Sequence, residues 1–178
     1  DGRDSLIYPT SGRMNKAFVE TGLPGGTLKY YKANFQHQHY LPLSRTYTLM
    51  LNGEIGYGNG YGDKPLPFFK NYYAGGVTSV RGYKTFTIGP KDSNGNPRGG
   101  SRKLLANAEL MFPFPGMDKD KSVRVGAFFD AGMVADTYDA GEMRYSTGLS
   151  VLWVSPFGPL KVSAAKPLKS KPGDSTQI

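Results

Sequence analysis

The sequence predicts an all-β chain, a set of transmembrane antiparallel strands belonging to a β-barrel. Three observations carry that expectation. Side-chain character alternates with a period of two rather than 3.6 over several stretches. Those stretches run about ten residues, the length of a tilted strand crossing a bilayer, whereas a globular strand averages five or six. No window holds the 18 consecutive apolar residues that a spanning helix needs. Across 178 residues, 38% are hydrophobic and 20% charged, so alternation rather than bulk hydropathy is what the chain offers a membrane.

In chain order, residues 14–21 are the first expected strand and residues 30–40 the second, whose two faces differ little. Residues 46–58 alternate cleanly. Tyr47, Leu49, Leu51, Gly53, Ile55 and Tyr57 stand on one side, with Thr46, Thr48, Met50, Asn52, Glu54, Gly56 and Gly58 on the other. The first side suits hydrocarbon and the second water. Residues 103–112 set Leu104, Ala106, Ala108, Leu110 and Phe112 against Lys103, Leu105, Asn107, Glu109 and Met111. Residues 123–133 set Val123, Val125, Ala127, Phe129, Ala131 and Met133 against Arg124, Gly126, Phe128, Asp130 and Gly132. Residues 145–154 oppose Tyr145, Thr147, Leu149, Val151 and Trp153 to Ser146, Gly148, Ser150, Leu152 and Val154, and residues 160–165 place Lys161, Ser163 and Ala165 together. Seven is an odd number, and single-chain bacterial barrels carry an even one. The chain is therefore expected to be one part of a larger barrel, cut at both ends, with a further strand after the polar residues 166–178.

Clusters of Pro and Gly mark the short connections: Pro9-Thr10-Ser11-Gly12, Gly22-Leu23-Pro24-Gly25-Gly26, Pro113-Phe114-Pro115-Gly116 and Ser155-Pro156-Phe157-Gly158-Pro159. Residues 59–102 are the exception. A connection of that length without secondary structure is usually functional. Its Phe68, Phe69, Tyr72, Tyr73, Tyr83 and Phe86 surround Gly75-Gly76 and Val80-Arg81-Gly82-Tyr83, which predicts a loop that folds back and packs, with 91–100 as a mobile polar tip. Its expected destination is the barrel lumen, where Arg81 would meet carboxylates. Glu109 and Asp130 fall on the polar faces of adjacent expected strands, and Phe128 shares the face of Asp130. An Arg inserted there makes charge-assisted, bidentate hydrogen bonds and stacks on the ring. Periodicity alone also allows three unrelated polar-facing residues.

The formal charge is +8, from 22 Lys and Arg against 14 Asp and Glu, but it forms no single stripe and accompanies no nucleic-acid motif, so no nucleic-acid partner is expected. Lys161, Lys166, Lys169 and Lys171 cluster toward the end, and exposed basic residues are expected to meet anionic lipid headgroups. Tyr47, Tyr57, Tyr145 and Trp153 are candidates for interfacial girdles. The absence of Cys excludes disulfides and thiolate metal sites. His37 and His39 can face the same way, and Ser44, Asp63 and Ser146 are available. Yet the spacing fits no catalytic motif, and two His make an incomplete metal site. No catalytic residue, metal ligand or cofactor is assigned.

Six strings occur in order along nearly the whole chain. They are Tyr8-Pro9-Thr10-Ser11-Gly12, Pro67-Phe68-Phe69-Lys70-Asn71-Tyr72-Tyr73-Ala74-Gly75-Gly76, Ser79-Val80-Arg81-Gly82-Tyr83, Thr87-Ile88-Gly89-Pro90, Phe128-Phe129-Asp130-Ala131-Gly132 and Trp153-Val154-Ser155-Pro156-Phe157-Gly158-Pro159-Leu160. With their spacing, the set resembles the C-terminal half of the barrel in the BamA family of outer-membrane assembly factors, also called the surface antigen family. The resemblance implies a 16-stranded barrel of which the ninth to fifteenth strands are present. It implies that Val80-Arg81-Gly82-Tyr83 is the signature of a sixth extracellular loop inside the lumen, where Arg81 meets Asp130, Phe128 and Glu109.

The resemblance further implies a non-enzymatic role: insertion and folding of β-barrel precursors in the bacterial outer membrane. The implied partners are unfolded outer-membrane protein clients, outer-membrane lipids and, through POTRA modules absent from this sequence, the lipoproteins of an assembly complex. The family's first strands and its last are also absent, so no residue is assigned to the seam between them. Three other readings remain: a related two-partner secretion or translocation-assembly barrel, an outer-membrane barrel enzyme, and a soluble all-β interaction module.

Overall fold

The computed structural model describes residues 1–23, 25–116 and 122–176. These build one antiparallel sheet whose spatial order follows the chain: β1 (Gly12–Thr21), β2 (Tyr30–Pro42), β3 (Thr48–Gly60), β4 (Arg102–Pro113), β5 (Val123–Ala135), β6 (Arg144–Ser155) and β7 (Gly158–Lys169). The sheet is open, with β1 and β7 at its edges. Most strands extend beyond the alternating stretches, because backbone pairing continues through polar rim residues after the apolar alternation has stopped. Pro24 of the first expected connection and residues 117–121 of the β4–β5 connection lie outside the described residues.

The two ends of the sheet differ. Residues 43–47 and 156–157 close short turns at one end, and 22–29, 61–101 and 136–143 form the longer connections at the other. In outer-membrane barrels the short turns are periplasmic and the long loops extracellular. The two faces differ as well. Leu51, Ile55, Phe129, Leu149, Trp153, Leu160 and Val162 point outward and are exposed, while Glu109, Arg124, Phe128, Asp130, Ser146 and Ser150 are buried on the inner face. A soluble sheet would bury the first set. This one presents it to hydrocarbon and turns its charges inward.

The outward aromatics mark the band's two edges. Tyr47 packs on Phe112, with ring centroids 5.7 Å apart, near the short turns. Tyr57 stacks on Tyr31 at 5.9 Å near the long loops, with the Arg102 guanidinium 3.7 Å from the Tyr57 ring centre. The ten steps from Tyr47 to Tyr57, at a rise of about 3.3 Å and a tilt of about 40°, project to roughly 25 Å, the height of the apolar band of such barrels. No helix among the described residues is long and apolar enough to cross a membrane.

The 61–101 connection lies against the inner face. Its Tyr72, Ala74, Val80, Tyr83 and Ile88 are buried with Leu105 of β4 and Val134 of β5 in one apolar cluster. Two expectations need correction. Phe68, Phe69 and Phe86 are exposed, because the loop has its own inside and outside and only some of its aromatics fit against the wall. In the 91–100 tip, residues 92–98 are exposed, but hydrogen bonds hold the segment in shape. The Asp92 carboxylate accepts from the backbone N–H of Asn94 (2.9 Å) and Asn96 (2.8 Å), and Arg98 is paired with Asp136 at 2.5 Å. Bonds from the Asn96 backbone and side chain hold the Asp92 carboxyl below its usual range.

The lysine cluster also dissolves. Lys161 lies on the inner face beside Glu109, whereas Lys169 reaches the Gly141 carbonyl (3.2 Å) and Lys171 pairs with Glu142 at the far end of the sheet. Proximity in sequence became distance along an extended strand, which at about 3.3 Å per residue separates residues 161 and 169 by roughly 26 Å.

Candidate functional site

The inner-face site is built from the loop and four strands. Strand periodicity puts Glu109 on β4 and Phe128 and Asp130 on β5, all inward, and the register pairs Glu109 with Phe128 and Asn107 with Asp130. The loop delivers Arg81. Its Nε donates to Asp130 Oδ2 (2.7 Å), its Nη2 to Asp130 Oδ1 (2.8 Å) and its Nη1 to Glu109 Oε2 (2.9 Å). The Arg81 backbone N–H also donates to Asp130 Oδ2 at 3.1 Å. The guanidinium carbon lies 3.4 Å from the centre of the Phe128 ring. One planar fork therefore binds one carboxylate bidentately, reaches a second and stacks on a π face, an arrangement the point charge of a Lys does not reproduce.

The motif residues around Arg81 have distinct placements. Val80 is fully buried in the loop's apolar cluster. Gly82 has φ +88, and a Cβ there would stand 3.2 Å from the Ala165 Cβ and 3.3 Å from the Pro167 ring on β7. Any other residue would be strained in backbone and crowded at once. The Tyr83 hydroxyl donates to the carbonyls of Tyr145 (3.1 Å) and Lys169, closing the loop onto β6 and β7. Tyr72, the loop's other buried phenol, donates to the Ala33 carbonyl at 2.7 Å. Burial pushes its pKa up to about 12, so it stays a neutral donor.

Several participants escaped the sequence reading. Lys161 donates to Glu109 Oε2 at 3.0 Å, and Ser150 on β6 donates to Glu109 Oε1. Buried Arg81 and the exposed Lys161 thus match the buried carboxylates Glu109 and Asp130 charge for charge, so neither carboxylate is left unpaired. Asn107 donates to Asp130 Oδ1 (2.9 Å) and to the Ser79 carbonyl (2.7 Å). A Cβ on Gly126 would sit 2.5 Å from both Glu109 Oε1 and Ser150 Oγ, so that glycine makes the space Glu109 occupies. Asn107, Gly126 and Ser150 did share the polar faces of their strands, but alternation says which way a side chain points and not what it meets. Through these bonds the loop ties together β4, β5, β6 and β7.

A second buried cation lies toward the short-turn end. Arg124 on β5, 3% exposed, donates to the Pro9 carbonyl at 2.8 Å and lies 4.0 Å from the Tyr8 ring centre. The segment before β1 is thereby held across the inner face. The Asp4 carboxylate stabilises that segment by accepting from the Thr10 N–H (2.9 Å), the Thr10 hydroxyl and the Ser11 N–H (3.1 Å). Burial by itself would raise the Asp4 carboxyl, but these bonds outweigh it and hold the pKa at about 2. His37 and His39 have ring centroids 6.0 Å apart, and His37 Nδ1 meets Asn15 Oδ1 at 2.6 Å. Among the described residues no group of three or more metal-ligating side chains forms.

The profile of the Omp85 superfamily domain matches residues 1–178. The chain belongs to the Omp85 superfamily. Among its relatives, the outer membrane protein assembly factor BamA of Neisseria meningitidis serogroup B is 43% identical over 98% of this chain and 26% of its own length. BamA of Nitratidesulfovibrio vulgaris is 33% identical over 94% of this chain and 22% of its own. A SAM50-like protein of Schizosaccharomyces pombe is 28% identical over 98% of this chain and 40% of its own. The crystal structure of BamA from Haemophilus ducreyi lacking POTRA domains 1–3 superposes with a TM-score of 0.91 at 30% identity, over 99% of this chain and 39% of that one. This Omp85 chain therefore spans about a quarter of the length of the two BamA relatives. Its seven strands match a segment of the BamA barrel, which places it in the outer membrane.

Proposed function

We propose that the chain is part of a barrel that inserts and folds β-barrel precursors in the bacterial outer membrane, without bond cleavage, and that its lumenal loop braces the wall while strand exchange occurs elsewhere. The observation that carries this reading is the Arg81 fork on Asp130 and Glu109, from two adjacent strands, with Lys161 and Ser150 extending the tie to two more. Unpaired backbone groups are expensive in hydrocarbon, so a client strand gains by pairing with an exposed edge before it enters the membrane. A scaffold offering such an edge must not fall open along its whole circumference, and the brace keeps this wall closed. The clients are then unfolded outer-membrane proteins, and the lipoproteins of an assembly complex would act through parts outside this chain.

The experiment is insertion of a client barrel into lipid vesicles by the full-length protein carrying Arg81→Lys. The substitution keeps the charge and removes the fork, so client folding, read as heat-resistant gel mobility, is expected to slow several-fold. An unchanged rate, with the variant's own barrel as heat-resistant as the parent's, would refute the brace.

A further inference from the structure

Side chains on the inner face form a continuous row across β2 to β5. The Gln36 amide on β2 donates to Asn52 Oδ1 on β3 at 2.8 Å, Asn52 donates to Asn107 Oδ1 on β4 at 2.9 Å, and Asn107 donates to Asp130 Oδ1 on β5 at 2.9 Å. The sheet register makes this row possible, because Asn52 stands directly opposite Asn107, and Asn107 directly opposite Asp130. Asn52 and Asn107 each accept on the side-chain oxygen and donate from the nitrogen, so the three amides run head to tail. The direction is forced from one end. Asp130 is fully buried and holds the Arg81 fork on both of its carboxylate oxygens, so it is the acceptor toward Asn107. Asn107 must turn its NH2 toward it, which leaves the Asn107 oxygen for Asn52 and the Asn52 oxygen for Gln36.

Asn107 does more than end the row. Its second N–H bonds the Ser79 carbonyl at 2.7 Å, two residues before Arg81. Asp130 then receives four bonds: two from the Arg81 side chain, one from the Arg81 backbone and one from Asn107. Its acceptor sites are filled, and its plane is fixed where the Arg81 fork needs it. Aligned amide dipoles ending on a carboxylate also polarise one another, which strengthens each bond.

We infer that Asn107 is a positioning residue of the brace, orienting the Asp130 carboxylate and pinning the loop backbone at Ser79, and that the Gln36–Asn52–Asn107 row carries the loop's hold on β5 across the wall to β2. The inference rests on the brace geometry and not on the insertion activity, and its test reads the two separately.

These 178 residues contain no Cys, so Val80→Cys, in a full-length protein with any Cys outside them replaced by Ser, supplies a single thiol buried while the loop is seated. Asn107→Asp keeps the shape but removes the donor and sets a second carboxylate against Asp130. Both hydrogen bonds that Asn107 donates are lost, so the rate of thiol modification is expected to rise roughly tenfold or more. Asn107→Leu keeps nearly the same volume without the donors and without a new charge, and is expected to raise the rate roughly tenfold as well. A packing role alone predicts parental protection in Asn107→Leu. Parental protection in either variant overturns the assignment. Client insertion by the same proteins is measured in parallel. An exposed loop with unimpaired insertion would leave the positioning role intact and refute the proposed function instead.

Discussion

Arg81 and Arg124 are both buried on the inner face of this barrel wall, and the fold treats them differently. Arg81 arrives on a loop and finds two carboxylates, a π face and a companion lysine. Arg124 is part of β5 itself and meets a backbone carbonyl and the Tyr8 ring, and among the described residues no carboxylate lies within salt-bridge distance of it. The first guanidinium belongs to a balanced cluster, each member of which strands the others if removed. The second is a donor whose loss leaves one carbonyl unsatisfied. Burial alone therefore does not measure how much a charge matters. What decides is the charge left behind when its partner is taken away.

The contrast is broken or sharpened by substitution in the full-length protein. The largest effect is expected from Asp130→Ala, which leaves Arg81 facing Glu109 alone with its backbone N–H unpaired. The cost is about 3–5 kcal/mol, the range for breaking a buried pair from one side, and appears as a lower temperature at which the barrel loses its folded gel mobility. Arg124→Met comes second. It removes one hydrogen bond and one cation–π contact and fills the space with a flexible thioether, at a cost of about 1–2 kcal/mol. Equal losses of thermal stability in Asp130→Ala and Arg124→Met would end the distinction between the two sites.

The smallest effect is a pH dependence confined to the segment that Arg124 holds. The Asp4 pKa is depressed from 3.8 to about 2, so its contribution is fully present above about pH 4 and is lost as pH falls through about 2. Protection of the Thr10 and Ser11 amides, taken relative to their intrinsic exchange rates, is expected to fall over that window in the parent and to be low and unchanged with pH in Asp4→Asn.

Much of the wall was legible in the residues. Period-two alternation placed Glu109, Phe128 and Asp130 on one face before any contact was visible, because a strand has only two faces and hydrocarbon tolerates only one kind of side chain. The same rule put Asn107, Gly126 and Ser150 on that face without revealing their partners. The loop was legible only in outline. Tyr72 and Tyr83 are buried whereas Phe68, Phe69 and Phe86 are not, and no periodicity in an irregular segment distinguishes them. Arg124 meets Pro9 across more than a hundred residues of chain, and Lys161 was grouped with lysines that the extended strand carries to the opposite rim.

The sequence by itself determined that this chain makes long antiparallel strands with an oily side and a wet side, since side-chain direction and solvent preference are local properties of each residue in a strand. The tertiary structure alone decided which wet-side groups meet. Register and loop path bring Arg81 to Asp130, Lys161 to Glu109 and Asn52 to Asn107, and hydrogen bonds that hold over about 3 Å depend on distances that no local pattern encodes.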